Sequence, residues 1–451
     1  MNKNVSKTKL FLAFISLIIN FFVWQQGLRD SLGRPSVGFD ISQKEKEIAE
    51  LALPAIPVRF KTLIINNPIE EIKTSLSEIP FDELTERNKL IWIISFNNNE
   101  ININNAYLDS FDNKNYKLIV KNLRESNIDN SFKVDDKLLD LVKEDRFLYH
   151  LLSKRLDFDE SKLITNAVSK EMFLKLIAIR LIPLSTVLIG SLLLLKAFWS
   201  IFSIKKIEWQ EFKSLDLDLL DMVLLISGGF VVLGEVISPL FSITLVEMVS
   251  YNLSFELTQS LKIFFGDLFM AIPPLLIIYY QIKSFDCEFN LKKDYFQFKF
   301  LPIKDSLLQG FKGFLMIIPF VLLVSLIMNL LIENQNGSNP LLEIVLNNND
   351  LFSFILLFLT TTFLAPLFEE VIFRGVLLPI LSKEFGITLG IIISAFIFAL
   401  AHLSISEMPP LFTLGIGLGI TRLISGKLSS SIIMHSLWNG MTFLHLFLLR
   451  T

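Results

Sequence analysis

The chain contains one cysteine, Cys287, and four histidines in 451 residues. A single thiol excludes an intramolecular disulfide framework and any thiolate cage for zinc or an iron–sulfur cluster. No Gly-rich loop closing on Lys-Ser or Lys-Thr occurs, which removes a nucleotide-driven pump. Basic residues form no long run and the formal net charge is −3, so the chain has no electrostatic footprint for nucleic acid. What it has in excess is apolar residues, 52% of the total against 19% charged.

Those apolar residues are unevenly placed. Charge concentrates between Leu28 and Lys170, whereas from Leu176 onward apolar runs near the ~20 residues needed to cross a hydrocarbon core alternate with short polar loops. This pattern predicts an all-α, polytopic membrane helix bundle of about eight or nine spans with an inserted N-terminal soluble helical domain. Leu10–Trp24 follows Lys3, Lys7 and Lys9 and is not followed by a small-x-small cleavage pattern, so residues 1–27 are expected to be an uncleaved anchor rather than a signal peptide. The basic leader then stays cytoplasmic, and residues 28–170 lie on the other side of the membrane.

Within residues 28–170, Pro68 followed by Glu70 and Glu71 marks one helix start. Asp135 and Asp136 ahead of Leu138 and Leu139 mark another. The Asn-rich patches at Asn97–Asn105 and Asn113–Asn130 read as loops, and His150 as a helix-surface residue. Spans are expected near Leu176–Trp199, Leu219–Val246, Ile263–Gln281, Phe311–Ile332, Leu351–Phe368, Ile387–Ala401, Leu411–Leu423 and Ile432–Leu449. Loop charges agree with this order. Lys205, Lys206, Lys213, Lys283, Lys292, Lys293, Lys299, Lys304, Arg422 and Lys427 all fall on the expected cytoplasmic side, with Cys287 among them, while Glu333–Asp350 has no Lys or Arg.

Ionisable groups inside spans are costly, so those that persist are functional candidates. Phe368-Glu369-Glu370-Val371-Ile372-Phe373-Arg374 ends one apolar run, and three of the four histidines follow it at His402, His435 and His445. Four-residue spacing puts Glu370 and Arg374 on one helix face, where the guanidinium can neutralise one carboxylate and leave Glu369 as a base; a helix end emerging into water would look the same. His402 ends an apolar helix one turn after Phe398, a place where a lone histidine is usually structural. His435 and Asn439 share a face and can serve an oxyanion or, through the imidazole, a metal. His445 lies off that face and reads as an interfacial bystander.

The ordered set Glu369-Glu370-x-x-x-Arg374, Phe398-x-x-x-His402 and His435-x-x-x-Asn439 resembles the CAAX protease and bacteriocin-processing (CPBP, or Abi) family of intramembrane endopeptidases. The resemblance spans roughly Phe311 to Leu449, so residues 311–451 are the expected protease core and residues 171–310 are membrane helices of unassigned role. It implies that Glu369 with His402 activates a water, that Arg374 orients Glu370, and that His435 and Asn439 stabilise the oxyanion. The implied partners are the lipid bilayer and a membrane-embedded or membrane-associated peptide or protein substrate. The resemblance firmly implies no cofactor and leaves a divalent metal such as zinc open, with Glu369, His402 and His435 as its ligands. A non-catalytic peptide-binding or immunity-type protein of the same fold is the alternative, and a secondary transporter would show an inverted repeat that the sequence lacks.

One geometric condition follows. If Leu351–Phe368 and Ile387–Ala401 were simple successive crossings, Glu369 and His402 would lie ~25 Å apart at 1.5 Å per residue. Either the helix bearing Glu369 runs on to about Leu381 with its start outside the core, or Leu403–Pro410 dips inward as an irregular segment lining a cavity.

Overall fold

With no water to bond, backbone N–H and C=O groups inside a bilayer must be satisfied within their own segment, which makes long apolar runs helical. The computed structural model describes residues 7–34, 37–59, 61, 67–96, 105–128, 137–156, 166–202, 209–210, 212, 216–285, 294–331, 339–348 and 350–450. Among these every regular element is helical. Apart from short helical turns they are α1 (Lys7–Leu32), α2 (Val37–Ala52), α3 (Pro68–Ser77), α4 (Glu86–Ser95), α5 (Lys114–Ile128), α6 (Arg146–Arg155), α7 (Asn166–Phe202), α8 (Leu219–Val249), α9 (Phe255–Phe285), α10 (Ile303–Leu331), α11 (Pro340–Asn347), α12 (Leu351–Phe385), α13 (Ile387–Leu400), α14 (Met408–Ser425) and α15 (Leu428–Leu448). Seven helical stretches, containing α1, α7, α8, α9, α10, α12 and α14, are long and apolar enough to cross a membrane; α13 is apolar but shorter. The chain is an integral, multi-pass membrane protein, and each expected span is a helix. Cys287, Lys205, Lys206, Lys213, Lys292, Lys293, Asp135 and Asp136 lie outside the described residues.

Two compact units divide the chain. One comprises residues 39–182 and 448–451, the other residues 1–38 and 183–447. In the first unit, α3 starts where expected, with Asn67 accepting from the Glu70 amide and Pro68 in the first turn. The Asn113 patch is corrected: α5 runs through it, because the Asn113 side chain caps the helix by accepting from the Asn115 and Tyr116 amides while Ile119, Val120 and Leu123 are buried. His150 is not a surface residue. Its Nε2 lies 3.4 Å from the buried Glu50 carboxylate, with the side chain only 11% exposed.

The centre of this unit is Arg87, held bidentately by Glu47 at 2.7 and 2.8 Å and by Asp145 at 2.6 Å. Asp145 also caps α6 through the Leu148 amide. Burial pushes the Asp145 carboxyl up, and the Arg87 guanidinium more than offsets this, leaving it below its usual value of about 3.9. A carboxyl depressed on folding contributes stability above its unfolded value and loses it as pH falls through the folded one. The hydrogen-exchange protection factors of α4 and α6 in the full chain are therefore expected to fall below about pH 4. Asp145→Asn, which keeps the cap, should flatten that dependence; an unchanged profile would remove Asp145 from the acid response.

In the second unit, α8 packs on α1 and α9, the first part of α12 on α9, and the C-terminal part of α12 on α13, while α14 lies between α13 and α10. Phe368, Ile372, Phe373, Phe398, Leu414, Leu418 and Met434 meet in one buried core. One end of this unit gathers Lys9, paired with Asp221 at 2.6 Å, and Lys427, 3.7 Å from Asp305. There the buried Arg422 donates to Gln297 Oε1, and the Leu428 amide donates to Gln297 O. At the other end of α1, Arg34 donates to Leu403 O and Ser31 accepts from the Ile405 amide, tying down the segment 401–407 between α13 and α14.

Candidate functional site

The Glu369-Glu370 pair sits in the middle of a helix rather than at its end. α12 is continuous over 35 residues, so the two apolar runs on either side of the pair are one element. The helix therefore runs on past Leu381, which is the continuity that the first alternative asks for. The second is met only in part, since Ala401–Glu407 is irregular but Pro409 and Pro410 open α14 as first-turn prolines.

α12 is not a uniform α-helix. Residues Thr360–Leu364 and Val371–Leu377 are wound with i→i+5 bonds, as are Leu224–Ile237 of α8. Each wide stretch is followed at its second residue by a proline: Pro239, Pro366 and Pro379. A proline ring collides with the carbonyl four residues earlier and lacks an N–H. Those carbonyls, of Glu235, Thr362 and Gly375, lie inside the wide stretches, so widening relieves the collision. Proline alone does not produce one, since α7, α9 and α10 contain proline without it.

Widening has a local consequence. The Ala365 amide bonds to Thr360 O, so the next carbonyl, Thr361 O, would need the amide of Pro366, which does not exist. Asn439 Nδ2 supplies the missing donor at 2.9 Å. The motif asparagine is thereby fixed against α12, with its second N–H and its Oδ1 left for other work.

Behind the cavity lies a buried charge centre. Arg374 Nη1 donates to Glu370 Oε1 at 2.8 Å and Nη2 to Gly415 O at 3.2 Å, and both side chains are almost fully buried. His435 Nδ1 lies 3.0 Å from the same Glu370 oxygen, and its Nε2 lies 3.8 Å from Glu369 Oε2. Phe398 joins these groups: its ring is 4.3 Å from the guanidinium carbon, 4.7 Å from the His402 ring and 5.6 Å from the His435 ring. The phenylalanine one turn before His402 is therefore a cation–π wall that also sets the imidazole planes.

Glu369, His402 and Asn439 line one cavity of about 440 Å³. His402 Nδ1 lies 2.8 Å from Phe398 O. A carbonyl can only accept, so Nδ1 carries the proton and in the neutral ring Nε2 presents a lone pair. Glu369 Oε2 is buried without a hydrogen-bond partner among the described residues. His435 does not line the cavity; it stands behind Glu369. His445 is likewise outside the cavity wall.

The zinc alternative fits poorly. Among the described residues no group of three or more His, Cys, Asp and Glu side chains could hold a metal ion. Each histidine holds its Nδ1 on an oxygen, His435 on Glu370 and His402 on Phe398 O, which leaves both Nε2 atoms open; what is missing is the convergence of three donors. We derive no step through a metal.

Besides Glu407, just ahead of α14, two further carboxylates line the cavity, Glu235 on α8 and Asp267 on α9. Glu235 and Asp267 lie outside the three motifs, on helices upstream of them. Their signal in the sequence is the same one that picks out the C-terminal residues: each is an acid inside an apolar run of spanning length.

Two family models match the chain. Residues 38–174 match a domain of unknown function, DUF8675, and residues 351–441 match the type II CAAX prenyl endopeptidase Rce1-like family. No curated protein and no solved structure matches it. The second match covers Glu369, Glu370, Arg374, Phe398, His402, His435 and Asn439, the side chains that the helices bring to this cavity and the charge centre behind it. The membrane core at residues 351–441 is therefore a domain of the CAAX protease (CPBP) family.

Proposed function

We propose that this protein is an intramembrane endopeptidase that hydrolyses a peptide bond of a membrane-associated protein or peptide, with Glu369 as the base. The observation that carries the reading is the presence of Glu369, His402 and Asn439 on one cavity wall. A water between Glu369 and His402 Nε2 meets two acceptors, one for each of its protons, which turns its lone pair toward a bound carbonyl. Glu369 takes one proton as the oxygen attacks. The free N–H of Asn439 receives the developing oxyanion. Collapse breaks the C–N bond, and the proton held by Glu369 leaves on the amine. His435 acts through Glu369 rather than on the substrate: Glu370, anchored by Arg374, holds His435 Nδ1 and so fixes Nε2 beside the base.

Comparison of protein termini in membranes from cells expressing the wild type and Glu369→Gln tests the reading. New termini should appear only with the wild type, and identical sets would overturn it. Asn439→Ala is expected to lower turnover ~100- to 1000-fold at equal folded fraction. It should also cost ~1–3 kcal/mol of stability, because Thr361 O loses its donor. Wild-type turnover in that variant would leave Asn439 with only its structural bond.

We read the N-terminus as cytoplasmic; the positions of Lys9, Lys427 and the buried Arg422 at one end of the membrane unit support this. Residues 28–170, which follow the first span, are placed on the opposite side. We read residues 1–27 as an uncleaved anchor, residues 28–170 as a soluble helical domain and residues 171–310 as membrane helices framing the protease core of residues 311–451.

A further inference from the structure

Glu235 and Asp267 do no work in the hydrolysis just described, yet both are acids held inside membrane helices and both open on the same cavity as the base. Their placement is built into the helix contact. α8 and α9 approach closely because Gly229 and Gly234 have no side chains: a Cβ on Gly234 would stand 3.1 Å from Met270 O, and one on Gly229 would stand 3.2 Å from Pro274 Cα. Ser238 Oγ donates across the same contact to Phe269 O at 3.0 Å. This seam brings position 235 of one helix and position 267 of the other to one wall.

The charges on that wall are unbalanced. Glu235, Asp267, Glu369 and Glu407 line the cavity, and among the described residues His402 is its one basic side chain and no Lys or Arg lines it. The Glu407 carboxylate accepts from the Asn339 amide at 2.9 Å, so it is partly satisfied within the fold. The Trp24 indole lies beside the Glu235 carboxyl, whose Oε2 is buried and makes no full hydrogen bond among the described residues. Asp267 is half-buried, opens on the cavity and pairs with no described cation. Carboxylates left without counter-charge in a cavity with apolar walls are expensive, and a cation entering from outside would relieve that cost. A metal ion does not fit, because no three ligating side chains come together among the described residues.

We propose that Glu235 and Asp267 form a subsite for a cationic side chain, a lysine or arginine of the substrate, so that this protease selects an apolar segment carrying a basic residue close to the scissile bond. The proposal rests on the endopeptidase reading for its biological meaning, but the subsite binds whether or not a bond is cut. Charge complementarity gives the selectivity, and a segment with an acid at the same position is repelled.

The first test is therefore binding. The wild-type chain in lipid nanodiscs is titrated with an apolar helical peptide bearing one central lysine, and with the same peptide bearing norleucine there, read by change in tryptophan fluorescence, with Trp438 on the cavity wall. The lysine peptide is expected to bind about tenfold tighter, or about 1.4 kcal/mol. Asp267→Asn and Glu235→Gln, both close to isosteric, should each reduce that preference, and the double variant should abolish it. Equal binding of the two peptides to wild type, or a preference that survives in the double variant, overturns the subsite. The second test is the set of cleavage sites that depend on Glu369. Basic residues should be enriched near those bonds, and Asp267→Asn should deplete the basic sites while sparing neutral ones. Glu369-dependent cleavage sites with no enrichment of basic residues near the bond would sink the subsite and leave the protease reading standing. A lysine preference without any Glu369-dependent cleavage would do the reverse.

Discussion

Glu369→Gln and His402→Ala should each remove turnover by roughly 10²- to 10⁴-fold, the worth of a positioned proton acceptor, while the folded protein stays in the membrane. Neither side chain carries much packing. Glu369 is 15% exposed toward the cavity, and its Oε2 has no hydrogen-bond partner to lose. His402 gives up one bond to its own helix and one edge contact with Phe398. Because the two residues orient the same water, their losses should not multiply: the double variant is expected to be about as slow as the slower single one. His445→Ala, outside the cavity wall, is the control and should leave turnover unchanged. The measurement is cleavage of a substrate identified from Glu369-dependent termini, at equal folded protein. A double variant as slow as the product of the two single effects would mean that the residues act in separate steps and share no water.

How much of this could be read without coordinates depended on the range of the signal. Apolar runs report directly on spans, because bilayer thickness fixes their length, and α7 to α10 and α12 to α15 lie where hydropathy puts them. The i, i+4 geometry of Glu370 and Arg374 is local, so spacing sufficed for their contact. What spacing could not give is long-range. His435 is 65 positions from Glu370, and only the packing of α15 against α12 turns its Nδ1 to that carboxylate and takes it off the cavity wall. The continuity of α12 was hidden because two charged residues in the middle of a span look like an interface. The wide turns before Pro366 and Pro379 have a sequence cause, but a proline also occurs in α7, α9 and α10 without that effect. The Asn113 stretch misled because asparagine favours loops on average, whereas here one asparagine caps a helix whose apolar residues recur at helical spacing. Glu235 and Asp267 were visible as intramembrane acids, and the motifs drew the eye past them.

Arg374→Ala should be the most destabilising substitution in the core, by ~3–5 kcal/mol, because it strands the fully buried Glu370 carboxylate. The guanidinium holds three things at once: the Glu370 oxygen at 2.8 Å, the Gly415 carbonyl of α14 at 3.2 Å, and the face of the Phe398 ring at 4.3 Å. Its loss therefore loosens α12 from both α13 and α14. Charge and packing can be separated by a second substitution. In Glu370→Gln/Arg374→Met the buried charge pair becomes a neutral amide beside an unbranched apolar chain, and replacements of this kind are often neutral or stabilising. The double variant should therefore recover most of the lost stability in a detergent unfolding titration, whereas Arg374→Ala alone should not. Activity should stay low in both. Glutamine at 370 can still accept from His435 Nδ1, but without the carboxylate charge, and without Arg374 to fix its direction, the imidazole beside Glu369 is no longer held. Full stability of Arg374→Ala would show that Glu370 sheds its charge at no cost, and the triad of Arg374, Glu370 and His435 would then be a packing contact with no part in holding the base.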